Sequence, residues 1–125
     1  MAELKETQHQ IKVVKWWRET YPTLWRCLQA SASGAVLGGN PRARAIQMNT
    51  MKASGLVIGQ CDLFLAIPKH NYHGLYIEMK ASKGVVSVEQ EEFIESMRAQ
   101  GYMAEVCYGN EAAIELIKSY IDSQD

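Results

Sequence analysis

Between Gly74 and Lys80 the chain reads GLYIEMK, a run in which Glu78 and Lys80 are the only charges among Leu, Tyr, Ile and Met. A run this apolar is strand-like and must be covered, so two charges go into the interior with it wherever it packs. Alternation along a strand puts Glu78 and Lys80 on one face and Ile77 and Met79 on the other. Both charged groups therefore look into one cleft. Asp62 opens the preceding apolar run, DLFLAI at 62–67, and the polar PKHNYH between the two runs reads as a hairpin loop. Antiparallel pairing across that loop brings the Asp62 carboxylate beside that of Glu78.

Two adjacent carboxylates repel, and without compensation one of them is driven toward its protonated form. A divalent cation removes the conflict. Mg²⁺ suits the pattern because it prefers oxygen ligands, accepts one or two carboxylates and keeps positions for water and a phosphate. The Met79 backbone carbonyl lies between the two charged side chains as a further oxygen. Lys80 is then available to orient or deprotonate a water, or to hold negative charge in a transition state. The purely structural alternative is a cross-strand salt bridge of Lys80 with Glu78 or Asp62.

The remaining elements frame this centre. Leu4, Ile11, Val14 and Trp17 recur at helical spacing over residues 3–19, and Tyr21-Pro22 ends that helix. TLWRCLQA at 23–30 reads as a short strand, and SASGAVLGGN at 31–40 as a loop. It lacks the Gly-Lys-Ser/Thr of a phosphate-binding P-loop. Pro41 opens a helix, PRARAIQMNTMKAS, that Gly55 closes. Ser87 with Gln90 three residues later is a capping box, and the helix it starts presents Val88, Phe93, Ile94 and Met97 as a buried stripe ending at Gly101. YMAEVCY at 102–108 alternates like a strand, and NEAAIELIKSYI forms a last helix with Ala113, Ile114, Ile117 and Ile121 on one side. Trp16, Trp17 and Trp25 read as core residues, and His70 and His73 as loop residues.

At 125 residues the chain fits one domain, residues 1–125. No apolar run is long enough to span a bilayer, and the N-terminus has no signal-peptide pattern, so a cytoplasmic location is expected. Cys27, Cys61 and Cys107 form no CxxC pair and read as reduced thiols. The net charge of −1 hides an uneven distribution: residues 41–83 hold six Lys/Arg against two Asp/Glu, whereas residues 84–125 hold two against nine. The basic middle contains the proposed centre and allows local phosphate contact. The acidic tail reads as the solvated face of two helices.

The strings GLVIGQCDLFLA and GLYIEMKASKGVVSVEQ resemble the core of the PD-(D/E)XK nuclease superfamily, specifically its virus-type replication-repair branch, the VRR-NUC domain. A Gly-x-x-Asp turn, an (I/V)-E-x-K strand and a following Ser-x-x-Gln recur there in this order, matched here over about residues 50–100. The resemblance implies a restriction-endonuclease-like α/β fold, a mixed central sheet flanked by helices. It also implies Mg²⁺- or Mn²⁺-dependent hydrolysis of DNA. Carried over by position, Asp62 and Glu78 become metal ligands with the Met79 carbonyl, Lys80 the catalytic lysine, and Gln90 a residue facing the site. For Gln90, the capping role and the site role exclude each other at any one moment. Glu6 resembles an acidic residue placed near the metal on the first helix, where it shares a face with Gln10 and Val13; a glutamate favoured by the helix dipole is the alternative. Cys61 stands where the branch often has Pro, which leaves the stiffness of the Asp62 turn open.

Lys52, Arg42 and Arg44 on the second helix and Lys83 after the strand are candidate phosphate contacts, with solvated surface charge as the alternative. Stand-alone members of this branch are similar to enzymes that act on branched DNA, implying a junction-selective endonuclease, and a chain this small suggests a homodimer presenting two sites. The competing readings are a non-catalytic DNA-binding or assembly subunit that keeps the fold, and a small enzyme acting on phosphorylated metabolites.

Overall fold

A computed structural model describes residues 3–32 and 37–123. Its elements run α1 (Glu6–Thr20), a 3-10 turn (Pro22–Cys27), β1 (Leu28–Ala30), α2 (Pro41–Ala53), β2 (Leu63–Leu65), β3 (Leu75–Lys80), α3 (Val88–Ala99), β4 (Met103–Tyr108) and α4 (Asn110–Ile121). The four strands lie side by side in chain order. β1 with β2, and β2 with β3, are antiparallel, whereas β4 runs parallel to β3. A parallel neighbour needs a crossover, and α3 supplies it. The sheet is thus mixed and flanked by helices, as expected.

Alternation along β3 decides the layering. Leu75, Ile77 and Met79 are fully buried in one core with Val13 and Trp17 of α1 and Ala113, Ile117 and Tyr120 of α4. On the other face Tyr76 packs beside Cys61, Ile94 and Ala104, with Phe93 and Met97 of α3. Glu78 and Lys80 follow Tyr76 on that second face. The sheet is therefore covered on both sides, and its central strand carries charges only where it emerges at one end.

Several sequence expectations need correction. Residues 23–30 are mostly not strand: Pro22, with its fixed φ, starts a 3-10 turn held by the Trp17 indole N–H donating to the Leu24 carbonyl at 3.1 Å, and only Leu28–Ala30 pairs with β2. Trp25 sits on the outside of this turn with the Arg18 and Arg26 guanidiniums 5.2 and 4.5 Å from its ring, so it is not a core residue. Ile11 is exposed on α1, because the face toward the sheet is the one with Val13 and Trp17. Val88 is exposed at the start of α3, where the helix has not yet reached the sheet. β2 is shorter than residues 62–67, so Asp62 precedes it by one residue. Of the segment read as a loop over 31–40, residues 33–36 lie outside the described residues. α4 matches its expected span, with Ile114 and Ile121 packed at the margin of the core. His73 is tied to the β4 entry, its N–H donating to Gly101 at 2.9 Å and its ring packing edge-on to Tyr102.

Candidate active site

β2 begins only at Leu63, opposite Ile77, and this late start shapes the site. Lys80 and Gly74 offer their carbonyls to Gly109 and Met103 on the β4 side, so the even residues of β3 are bonded to β4 and the odd residues point to β2. Met79, beyond the last β2 partner, has no strand to pair with on that edge. Its N–H instead donates to Asp62 Oδ2 at 2.7 Å, and its carbonyl leaves from the same edge. Continuing the antiparallel register by one residue sets Asp62 against Glu78, as the hairpin argument requires.

Glu6, Asp62, Glu78, Lys80 and Gln90 line one open cleft of about 270 Å³, together with Ile58, Gly59, Gln60 and Ser87. Glu78 and Lys80 are 2% and 6% exposed despite their charge. The Lys80 ammonium lies 3.5 Å from Glu78 Oε2 and 3.6 Å from Glu6 Oε1. Glu6 is thus brought to the site from α1 through Lys80. Glu78 Oε2 also accepts from Gln90 Nε2 at 3.0 Å. Its other oxygen, Oε1, is buried and, among the described residues, accepts no hydrogen bond. Burial first, then the neighbouring Asp62 charge, push the Glu78 carboxyl up to about 8, against the pull of Lys80.

Gln90 corrects the expectation that its two roles exclude each other. Its Oε1 accepts from the Ser87 N–H at 2.9 Å, the Ser87 hydroxyl accepts from the Gln90 N–H at 3.1 Å, and Nε2 is left to hold Glu78. One amide has an acceptor end and a donor end, so the helix cap and the site share the side chain at once. Ser87→Ala should therefore destabilise the fold by about 1 kcal/mol through loss of the cap. It should also lower activity, because the Gln90 backbone N–H loses the hydroxyl that fixes the start of the helix from which its amide holds Glu78. Urea unfolding and initial rates read the two effects.

Cys61, in place of proline, does not leave the Asp62 turn loose. Its side chain is buried against Ile94 and Ala104, and Ser31 N–H donates to the Asp62 carbonyl at 2.9 Å. Burial, with Glu78 and Asp62 adding to it, pushes the Cys61 thiol up to about 12, so it is an inert packing group. The basic candidates are a different matter. Arg42, Arg44, Lys52 and Lys83 are all exposed and none lines the cleft. A larger groove of about 450 Å³ along the outer side of α1, lined by Ile11, Val14, Lys15 and Arg18 among others, brings no pair of carboxylates together.

The donor set fits a divalent cation. Among the described residues no three His, Cys, Asp or Glu side chains form a ready-made metal cluster. Instead, two carboxyls strained against each other, one with an orphaned buried oxygen, share an edge with a backbone carbonyl. That is the incomplete oxygen shell Mg²⁺ takes when substrate and water complete it. The sequence marked Gly59 only as the opening of the Gly-x-x-Asp turn and did not single out Ile58 or Gln60, which carry no charge to mark their place at the cleft.

Compared with known families, residues 4–111 match the model of the VRR-NUC domain. A solved structure described as a VRR_NUC domain protein is similar over 99% of this chain and 93% of that one, with a TM-score of 0.81 at 27% identity. No curated protein matches the sequence.

Proposed function

Because the chain belongs to the VRR-NUC domain family of the PD-(D/E)XK nuclease superfamily, its function is of the nuclease type, and we propose that residues 1–125 act as one Mg²⁺- or Mn²⁺-dependent endodeoxyribonuclease domain selective for branched DNA such as four-way junctions. The observation that carries the metal-dependent part is the Asp62–Glu78 pair with its orphaned oxygen beside a buried lysine.

Asp62, Glu78 and the Met79 carbonyl would hold the cation, with Glu6 at its margin. Bound there, it would neutralise the scissile phosphate and make a water more acidic. Gln90 keeps Glu78 in one orientation through its Nε2 donor. Lys80 is aimed by Glu78 and Glu6, so it supports the attacking water or the charge that develops on phosphorus. Arg42, Arg44, Lys52 and Lys83 supply phosphate contacts outside the cleft.

A homodimer is supported by α2. None of its 13 residues is buried, and Ile46 is largely exposed. A helix this short is marginal in water without a packed face, so a second copy of the chain is the reading for what packs there. No helix among the described residues is long and apolar enough to cross a membrane. The three cysteines are free thiols, which supports a reducing, cytoplasmic setting.

Labelled duplex, flap, single-stranded and four-way DNA, incubated with Mg²⁺, Mn²⁺ or EDTA, tests the reading. Expected is cleavage with either metal, none in EDTA, and preference for the four-way substrate. Cleavage that survives EDTA contradicts the metal site, and DNA binding without cleavage selects the non-catalytic subunit. Hydrolysis of free nucleotides in place of DNA selects the metabolite enzyme. Sedimentation showing only monomer alongside full junction cleavage removes the dimer.

A further inference from the structure

We propose that Val57 and Ile58 form a fixed apolar wedge at the mouth of the cleft, which stacks against the last base pair where a DNA duplex is interrupted. This rests on the nuclease reading and gives it a source of selectivity.

The two residues occupy the first half of a tight turn closed by the Gln60 N–H donating to the Val57 carbonyl at 3.2 Å. Turn positions of this kind usually carry polar residues. Here Val57 is 51% and Ile58 47% exposed. The turn is also rigidly mounted. Gly59 has φ +90°, the value a type II turn demands at its third position, and a Cβ there would lie 2.4 Å from the Glu89 backbone. Only glycine allows the turn to press this closely on the first turn of α3. That contact places it directly beside Gln90, which holds Glu78.

Ile58 belongs to two cavities at once. It lines the catalytic cleft and also a groove with Val57, Phe93, Met97, Ser96, Glu89 and Glu92. The wedge thus marks a border. α2, which leads into the turn, carries Arg42, Arg44 and Lys52, whereas the far side is edged by Glu89 and Glu92, with Glu91 and Glu95 exposed on the same helix. Phosphates are repelled by this acidic side. A straight duplex across the cleft would carry its backbone over the acidic side. A duplex that ends, bends or branches at the turn avoids this and exposes a base-pair face to Val57 and Ile58. Aliphatic side chains serve this purpose in proteins that kink DNA by partial intercalation.

The test compares wild type with Val57→Ser, Ile58→Ser and the double variant on two substrates sharing one scissile sequence, a continuous duplex and a three-way branch, with kcat/KM measured in Mg²⁺. A second arm places 2-aminopurine at the branch-point base and reads its fluorescence on binding in EDTA. Expected is a fall of about tenfold in the branch-to-duplex ratio for the double variant, with loss of the fluorescence rise seen for wild type. An unchanged ratio together with an unchanged fluorescence rise overturns the wedge. A conversion of dimer to monomer with the ratio intact assigns the surface to self-association and overturns it as well. If wild type cleaves neither substrate the nuclease reading fails, and the fluorescence arm still decides whether the turn contacts the base.

Discussion

Lys80→Ala is expected to lower DNA cleavage by about a thousandfold or more at saturating Mg²⁺, the scale set by removing a charge that acts on the transition state in a water-poor site. The ammonium is almost fully buried, sits between Glu78 and Glu6, and is the only cation lining the cleft among the described residues. No neighbour can take over. The fold should survive. Removing one partner of a buried ion pair often costs about 3–5 kcal/mol because a bare charge is left behind, but Glu78 already tends toward its protonated form beside Asp62. Without the lysine it takes up a proton and neutralises itself. Single-turnover kinetics with thermal melts separate the two effects, and retention of a tenth of wild-type activity would exclude a catalytic lysine. Lys80→Arg distinguishes the lysine's roles. Arginine keeps the charge but does not deprotonate, so recovery of activity identifies charge stabilisation, and continued inactivity identifies proton transfer.

Glu78→Gln should abolish cleavage to a similar degree and yet make the metal-free protein more stable at alkaline pH. The carboxyl is raised from 4.5 to about 8, mainly by burial and then by Asp62. Between those values the folded protein holds a proton that the unfolded chain has released. The group's contribution to stability is therefore fully present below about 4.5 and is lost as pH rises through about 8. In EDTA the wild type should lose stability over that window, and Glu78→Gln, which has no charge to bury, should lack this component of the slope. Melts at pH 8.5 in EDTA should favour the variant by roughly 5 °C. Adding millimolar Mg²⁺ should reverse the order, since the cation binds and stabilises only the wild type. A variant less stable than wild type in EDTA at pH 8.5 would show that the Asp62–Glu78 conflict is not where the structure puts it.

Both expectations begin from features legible before any fold was known, but to unequal depth. The common face of Glu78 and Lys80 follows from strand alternation alone, because a side chain's direction on a strand is set by its own backbone. The capping box at Ser87 and Gln90 and the whole of α4 were readable for the same reason, since caps and helical periods are relations between residues a few positions apart. Asp62 was readable only through its hairpin partner, and the late start of β2 that lets it take the Met79 N–H was not readable at all. Glu6 reaches Lys80 because α1 packs across the strand ends, a contact spanning more than seventy residues of chain.

What the sequence by itself determined is the chemistry on offer: a carboxylate and a lysine on one strand face, a second carboxylate one hairpin away, and a helix start aimed at them. What only the tertiary structure decided is how far each group is buried and which others it meets. It turned Val88, Trp25 and Ile11 outward, joined cap and site through the two ends of the Gln90 amide, and set the Val57–Ile58 turn against α3. The physical reason is that direction along an element is local, whereas burial belongs to the surface that covers it, and that surface arrives from distant parts of the chain.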